Sequence, residues 1–191
     1  MEELTSSGFI TSFYAFGKKK KELRYRLTDK YSLFYLKFSE EKRSEGAGVW
    51  EQLAQTQSWK SWSGSAFESI CLKHVPAIKK ALGISGIYTE AFAFYLKTSE
   101  FGRGIQIDLL IDRADHAINI FEIKFHQSPF VLNKEQANDI RLKINIFKSA
   151  TATTKQVFFT LLTTFPLMPN EHSLGAVDRV LDMDCLFETF S

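Results

Sequence analysis

Residues 105–125 read IQIDLLIDRADHAINIFEIKF, and this stretch decides the fold. It contains two apolar runs, at about 104–112 and 118–125, separated by a short polar segment. A connection of this length favours an antiparallel hairpin of two β-strands. A third apolar run, at about 87–97, precedes the hairpin and predicts one more strand.

Charged residues interrupt both predicted strands of the hairpin. Asp108 breaks the first apolar run, and the tripeptide Glu122-Ile123-Lys124 breaks the second. The strand period of two places Glu122 and Lys124 on one face. If the hairpin turns about Asp115, Asp108 faces Glu122, and Gln106 faces Lys124. The pattern therefore predicts four polar side chains on one face of the sheet.

Two carboxylates opposite each other repel, so a purely structural sheet avoids this arrangement. A divalent cation held between them makes it favourable, and hard oxygen ligands without nearby His or Cys favour Mg²⁺ or Mn²⁺. A lysine beside such a cation can orient or deprotonate water and stabilise charge on a phosphoryl group. The alternative is a structural network in which the carboxylates and Lys124 compensate one another.

Helices are predicted on both sides of these strands. One begins at Ser65, where Ser65 and Glu68 form a capping pair, and stops near Gly83, with Pro76 dividing it. A second begins at a capping box of Asn133 and Gln136 and runs to about residue 149. An apolar strand at 156–163 follows, with another short strand near 177–187. This order predicts an α/β fold with a central mixed sheet flanked by helices.

The segment before Ser65 has a different pattern. Aromatic runs at 9–16 and 23–27 predict a β-hairpin. Its basic tip consists of Lys18, Lys19, Lys20 and Lys21, which are candidates for contact with nucleic acid. A short helix follows, capped by Thr28 or Asp29, and then a loop, a short helix and a second loop reach Trp62. We expect residues 1–40 to form one unit, 41–62 a linker and 63–191 the main domain.

Composition limits the remaining choices. The chain is 45% hydrophobic and 24% charged, as in globular proteins, and its net charge of +2 leaves attraction to nucleic acid to local clusters. Its two cysteines, Cys71 and Cys185, favour buried free thiols in a reducing compartment. No apolar run is long enough to span a membrane, and the N-terminus is acidic. These features predict a cytoplasmic protein without a membrane partner.

Asp108 and Glu122-Ile123-Lys124 across a predicted hairpin, after a helix bearing Glu68, resemble the core of the PD-(D/E)XK nuclease superfamily. The resemblance covers Ser65 to about Thr163. It implies a restriction-endonuclease-like core in which Asp108 and Glu122 bind the metal, joined by the Ile123 carbonyl. It also implies Lys124 as the catalytic lysine and Glu68 as an accessory acid, unless Glu68 is committed to capping. The supporting residues that it implies are Gln106, Gln136 and Arg141.

More narrowly, residues 25–35 together with Trp62-Ser63-Gly64 and Ala66-Phe67-Glu68 look like the C-terminal part of prokaryotic AAA-type ATPases. In that family a winged-helix segment and a nuclease-like domain follow the ATPase. The resemblance implies that residues 9–27 are the wing of a winged helix, with an ATPase domain or protein as a possible partner. This chain contains no Gly-rich phosphate-binding loop of its own.

Together these observations predict a Mg²⁺-dependent or Mn²⁺-dependent nuclease that acts on DNA. One alternative is a nucleic-acid-binding or partner-docking module that keeps the nuclease fold without turnover. Another is a purely structural appendage to an ATPase. Metal-dependent cleavage, binding without cleavage, and the absence of both distinguish the three.

Overall fold

The computed structural model describes residues 1–17, 23–40, 48–98, 100 and 102–187. The α-helices are α1 (Glu2–Ser6), α2 (Lys30–Phe34), α3 (Val49–Ala54), α4 (Gln57–Lys73), α5 (Val75–Ala81) and α6 (Lys134–Thr151). The strands are β1 (Ile10–Phe13), β2 (Arg24–Leu27), β3 (Thr89–Leu96), β4 (Ile105–Arg113), β5 (Ala117–Lys124), β6 (Phe130–Val131), β7 (Gln156–Thr163), β8 (Leu167–Met168) and β9 (Arg179–Asp182). A π-helical turn (Tyr35–Ser39) extends α2, and a 3-10 turn (Met183–Leu186) follows β9.

The centre of the molecule is a mixed sheet of five strands in the order β3-β4-β5-β7-β9. The first three strands are antiparallel neighbours, whereas β7 runs parallel to both β5 and β9. Helix α6 connects the parallel pair β5 and β7, as a crossover between parallel strands requires. The predicted α/β architecture with a central mixed sheet flanked by helices is confirmed.

Each face of the sheet buries its own apolar cluster. On one face, Phe147 and Ala137 of α6 pack against sheet residues such as Ile120. On the other face, Phe67 of α4 and Ile78 of α5 pack against residues such as Leu109. Burying a side chain as large as Phe147 or Ile78 contributes about 2 kcal/mol, so these clusters fix the helices to the sheet.

The N-terminal hairpin of β1 and β2 is attached to the edge of the central sheet. Ala15 bridges to Ala93 of β3, and the backbone N–H of Phe16 donates to the Ala93 carbonyl at 2.7 Å. The Phe16 ring lies 5.9 Å from the ring of Phe147, so the segment after β1 also reaches the main core. The predicted hairpin and the cap at Asp29 are confirmed, whereas the predicted basic tip lies outside the described residues.

The start of α4 corrects one prediction. The helix begins at Gln57, capped by Thr56, whose side chain accepts from the Trp59 N–H at 3.2 Å. Ser65 therefore lies inside the helix, and the predicted capping pair of Ser65 with Glu68 is wrong. The error has a physical cause, because Ser and Gly inside the helix carry the signature of a boundary without forming one. The second predicted loop is helical as well, while the boundary at 41–62 stays a prediction.

The other predicted elements are close to the observed ones. The helix is interrupted at His74, and α5 begins at the following residue with Pro76 in its first turn. The predicted division of the helix near this proline is confirmed. Asn133 and Gln136 form the predicted capping box of α6. The described part of the chain contains no helix of the length and apolarity needed to cross a membrane.

Candidate functional site

Asp108 lies at a β-bulge in β4. Between two paired positions of β3, Phe92 and Phe94, a single residue stands opposite two residues of β4, Asp108 and Leu109. A bulge bends its strand and re-aims the side chains at the bulge, and bulges are over-represented beside active sites. Asp108 therefore does not follow the simple alternation of the strand.

The hairpin register corrects one detail of the predicted site. The register of β4 against β5 follows the predicted turn, and its paired positions end at Leu109 and Phe121. Asp108 and Glu122 are the next two residues, so their predicted direct pairing lies just beyond the ladder. The bulge also turns Ile107 to the α6 face together with Leu110, which strict alternation forbids.

As a result, the four polar residues do not lie on one flat face. They meet instead at the end of the sheet where β4 begins and β5 ends. An open cleft of about 480 Å³ lies there, between the sheet end and α6. The polar and charged residues that line it are Arg103, Gln106, Asp108, Glu122, Lys124, His126, Gln136, Asp139 and Lys143. The cleft thus brings Asp108, Glu122 and Lys124 together, although not by the predicted cross-strand pairing.

Glu122 is the most densely paired carboxylate of the cleft. Its Oε1 lies 2.9 Å from Nζ of Lys124, and its Oε2 accepts from Nζ of Lys143. Burial raises the pKa of the Glu122 carboxyl, but the ammonium groups of Lys143 and Lys124 outweigh this effect and hold the pKa below its usual value. Glu122 is therefore an anion with an ammonium group at each of its two oxygens.

Lys124 connects the two carboxylates electrostatically. Burial lowers its pKa, but attraction to Glu122, a hydrogen bond to Glu122 and attraction to Asp108 together raise the pKa above its usual value. About half of the Lys124 side chain, 55%, remains exposed in the cleft. A protonated, accessible ammonium of this kind can meet an anionic group that enters the cleft.

Gln106 holds Asp108 in place. Its Nε2 donates to Oδ1 of Asp108 at 2.5 Å. The hydrogen bond from Gln106 does not involve the other carboxylate oxygen, Oδ2 of Asp108. The predicted supporting role of Gln106 thus has a geometric basis in the orientation of Asp108.

Lys143 is a site residue that the sequence reasoning missed. It lies on α6, one heptad after Gln136, so both residues reach the cleft from the same side of the helix. The spacing of Gln136, Asp139 and Lys143 was the available signal, because it forms a polar stripe beside the apolar one. Arg103 and Asp139, which also line the cleft and form an ion pair of 2.7 Å, were missed too.

Glu68 lies apart from the residues that line the cleft. Its Oε1 forms an ion pair of 2.9 Å with Arg26 of the N-terminal hairpin. The next turn up the helix carries Ser65, whose hydroxyl accepts from Nζ of Lys30 at 3.1 Å. In this arrangement Glu68 holds the hairpin against α4, and its accessory role in chemistry stays a prediction.

The remaining predicted residues divide between the cleft and other places. Gln136 lines the cleft, but its Oε1 accepts from the Asn133 N–H at 2.9 Å, so the capping box engages this oxygen. Arg141 is exposed, donates to Asn138 at 3.1 Å and is not among the residues of the cleft. Lys18, Lys19, Lys20 and Lys21 lie outside the described residues.

Two carboxylates that a Mg²⁺ or Mn²⁺ ion could use, those of Asp108 and Glu122, line the cleft. Within the described ranges no group of three or more His, Cys, Asp or Glu side chains is placed to hold a metal. Mg²⁺, however, commonly binds one or two carboxylates and completes its shell with water and substrate phosphate. The number of carboxylates in the cleft is within that range, and the Ile123 carbonyl, the third predicted ligand, follows Glu122 in the chain.

Comparisons with known proteins leave the family of this chain open. No family model and no curated protein matches it. Among solved structures, the chain is similar to AF1548, described as a protein of unknown function, with 16% identity and a TM-score of 0.43. The alignment covers 62% of this chain and 65% of that one, so the chain matches less than two thirds of its relative's length.

Proposed function

We propose that this chain is a metal-dependent nuclease that hydrolyses phosphodiester bonds, with DNA as its substrate. The proposal includes a core of the PD-(D/E)XK type within the five-stranded sheet and its helices. Its support is the arrangement of Asp108 on β4 with Glu122 and Lys124 on β5, after helix α4 and before helix α6.

The observation that carries the proposal is the position of Asp108. Both oxygens of Glu122 already meet an ammonium group, so the burial of Glu122 is compensated without any contribution from Asp108. Asp108 nevertheless lies at a β-bulge and lines the same cleft. Gln106 donates a hydrogen bond to one of the two carboxylate oxygens of Asp108. A second oriented carboxylate in the same cleft gives a divalent cation two protein ligands, as Mg²⁺ commonly has.

In the proposed mechanism Asp108 and Glu122 would hold the cation, together with the Ile123 carbonyl. A cation held there would lower the pKa of water and neutralise charge on the phosphate. Gln106 keeps Asp108 in its orientation, and Lys124 directs an ammonium at the phosphate or at the attacking water. Lys143 holds the second oxygen of Glu122 from the opposite wall.

The charge balance of the cleft favours a polyanionic substrate. The carboxylates of Asp108 and Glu122 cancel the ammonium groups of Lys124 and Lys143. A bound divalent cation therefore leaves the cleft positive, and a phosphodiester backbone is attracted to a positive cleft. Neutral or cationic substrates gain nothing from this balance.

The test is cleavage of plasmid and linear DNA with Mg²⁺ or Mn²⁺. We expect Asp108→Asn and Lys124→Ala to lower the rate by roughly a hundredfold or more, because each removes a group that acts on the transition state. Arg179→Ala, on the edge strand β9 and not among the residues that line the cleft, is the matched control and keeps the native rate. Equal activity in all four proteins would rule out the proposal.

A second candidate function is binding of nucleic acid without turnover. One observation favours it: lysines occupy both oxygens of Glu122. The charge of this carboxylate is therefore already neutralised without a metal ion. This function predicts DNA affinity that is the same with EDTA and with Mg²⁺, and no cleavage with either.

A further inference from the structure

A second groove opens on Asp108 from the side of the N-terminal hairpin. Its volume is about 200 Å³, and it lies between β2, β3 and β4. The side chains that line it are those of Phe13, Arg24, Arg26, Tyr95, Gln106 and Asp108, among others. Gln106 and Asp108 line the main cleft as well, so the two spaces meet at the proposed metal ligand.

Two arginines of β2 lie over aromatic rings in this groove. Cζ of Arg24 is 5.5 Å from the centroid of the Tyr95 ring, and Cζ of Arg26 is 5.1 Å from that of Phe13. Arg24 and Arg26 are two positions apart on one strand, so they share a face of the hairpin. Cations that alternate with rings form the kind of surface that binds a nucleic-acid strand, with phosphates on the arginines and bases on the rings.

The path from this surface to Asp108 is continuous. Tyr95 of β3 is paired with Gln106 of β4, so these two side chains stand beside each other on one face. Gln106 in turn donates to Asp108. Arg24, Tyr95, Gln106 and Asp108 thus form a row in which each residue contacts or neighbours the next.

The row favours a single strand over a duplex. Tyr95 is 47% exposed, and a base can stack on a ring only when it is not stacked within a duplex. Arg26 is partly neutralised by its ion pair with Glu68. Arg24 is therefore the stronger candidate for contact with a phosphate.

We propose that this hairpin groove binds a single-stranded segment of nucleic acid next to the scissile phosphate, with Arg24 on its backbone and Tyr95 under a base. The inference rests on the proposed nuclease function for the identity of the substrate. It assigns to the hairpin strand β2 a role that does not depend on the lysines of the hairpin tip.

The test is fluorescence anisotropy of labelled DNA of about 20 nucleotides, in EDTA so that no cleavage occurs, with the full chain. We expect tighter binding of the single strand than of a duplex of the same sequence. Arg24→Ala should weaken single-strand binding by about fivefold and reduce the slope of log affinity against log salt by about 0.7. Tyr95→Leu should weaken it by about tenfold with little change in that slope.

Arg179→Ala is the matched control, since it removes an exposed arginine from the edge strand β9 at the far side of the sheet. Circular dichroism of each variant verifies that the fold is retained. Three results would overturn the inference: no binding of the single strand by the native chain, tighter binding of the duplex, or affinities of the Arg24 and Tyr95 variants equal to that of the control.

The inference and the nuclease proposal can fail separately. Suppose that the Arg24 and Tyr95 variants lose affinity but the native chain cleaves nothing with Mg²⁺ or Mn²⁺. Binding in the hairpin groove is then supported, and the nuclease proposal is contradicted. If cleavage depends on Asp108 but both variants bind like the control, the nuclease proposal is supported and the binding of a single strand in the hairpin groove is contradicted.

Discussion

Lys143 of α6 and Glu122 of β5 form an ion pair across the cleft, and both side chains are 21% exposed. Together with Lys124, Lys143 compensates a carboxylate that burial would otherwise penalise. The two ammonium groups thus occupy the oxygens that the proposed cation would use. We expect a cation and Lys143 to compete for Glu122.

This competition gives the first prediction. Lys143→Met keeps the length of the side chain but removes its charge, and should lower the free energy of unfolding in EDTA by about 1–3 kcal/mol. Mn²⁺ should then raise the melting temperature of the variant more than that of the native chain, because the cation replaces the lost ammonium. Thermal unfolding followed by circular dichroism, with and without Mn²⁺, measures both effects.

Lys155→Met is the control for that experiment. Lys155 pairs with Asp112 at 2.5 Å, with a similar degree of burial, toward the opposite end of β4. Its loss should cost a comparable amount of stability, and Mn²⁺ should not restore it. A Mn²⁺ effect of the same size in both variants would contradict the competition at Glu122.

Gln106 provides the second prediction. Gln106→Leu removes the amide that fixes Asp108 while leaving an exposed site of similar size. We expect cleavage to fall by roughly tenfold, with less than about 0.5 kcal/mol of change in stability, because an unfixed carboxylate holds a cation in several orientations. Gln156→Leu, at the exposed start of β7, should leave the rate unchanged.

The third prediction concerns Gly104, the residue that immediately precedes β4. A Cβ atom there would lie 2.3 Å from the Lys97 carbonyl oxygen and 2.7 Å from that of Leu96. Gly104→Ala must therefore displace backbone, and we expect it to lower the free energy of unfolding by about 2–3 kcal/mol. Urea denaturation measures this loss.

Gly64 is the matched glycine. It lies inside α4, and an added Cβ would meet no atom within 4 Å. Gly64→Ala should raise the free energy of unfolding by about 0.5–1 kcal/mol, because alanine costs less backbone entropy in a helix. Equal effects of the two substitutions would show that the close approach of the Lys97 and Leu96 carbonyls to Gly104 does not determine the loss of stability.

The fourth prediction tests the aromatic cluster of the N-terminal half. Phe38 is only 3% exposed, and its ring lies 5.7 Å from that of Trp59 and 5.4 Å from that of Phe34. Phe38→Ala should cost about 3–5 kcal/mol in urea denaturation. Tyr31, which is 74% exposed, is the control, and Tyr31→Ala should change stability by less than about 0.5 kcal/mol. A small effect at both positions would mean that this cluster does not contribute to the fold.

Much of the core could be predicted because local patterns agreed with the final packing. The register of β4 against β5 followed from the position of the turn alone, since the connection is short. The start of α6 followed from its capping box, which is a local signal. The predicted start of α4 was wrong because Gly64 and Ser65 resemble a helix boundary although they lie inside the helix that Thr56 caps.

The geometry of the site depended on contacts that are distant in sequence. Lys143 meets Glu122 only when α6 packs on the sheet, so spacing within the helix did not identify the partner. The bulge at Asp108 left one trace in the sequence, because the alternation before it changes to three successive apolar residues at 109–111. Arg26 and Glu68 meet only because the N-terminal hairpin folds back onto α4.

The most direct test of the account is the anomalous scattering of Mn²⁺ in crystals of this chain. We predict one Mn²⁺ ion bound by the carboxylates of Asp108 and Glu122, with Lys143 displaced from Glu122, and no ion at this position in Asp108→Asn. Crystals at saturating Mn²⁺ in which Glu122 keeps both lysines and no ion lies between the two carboxylates would contradict it.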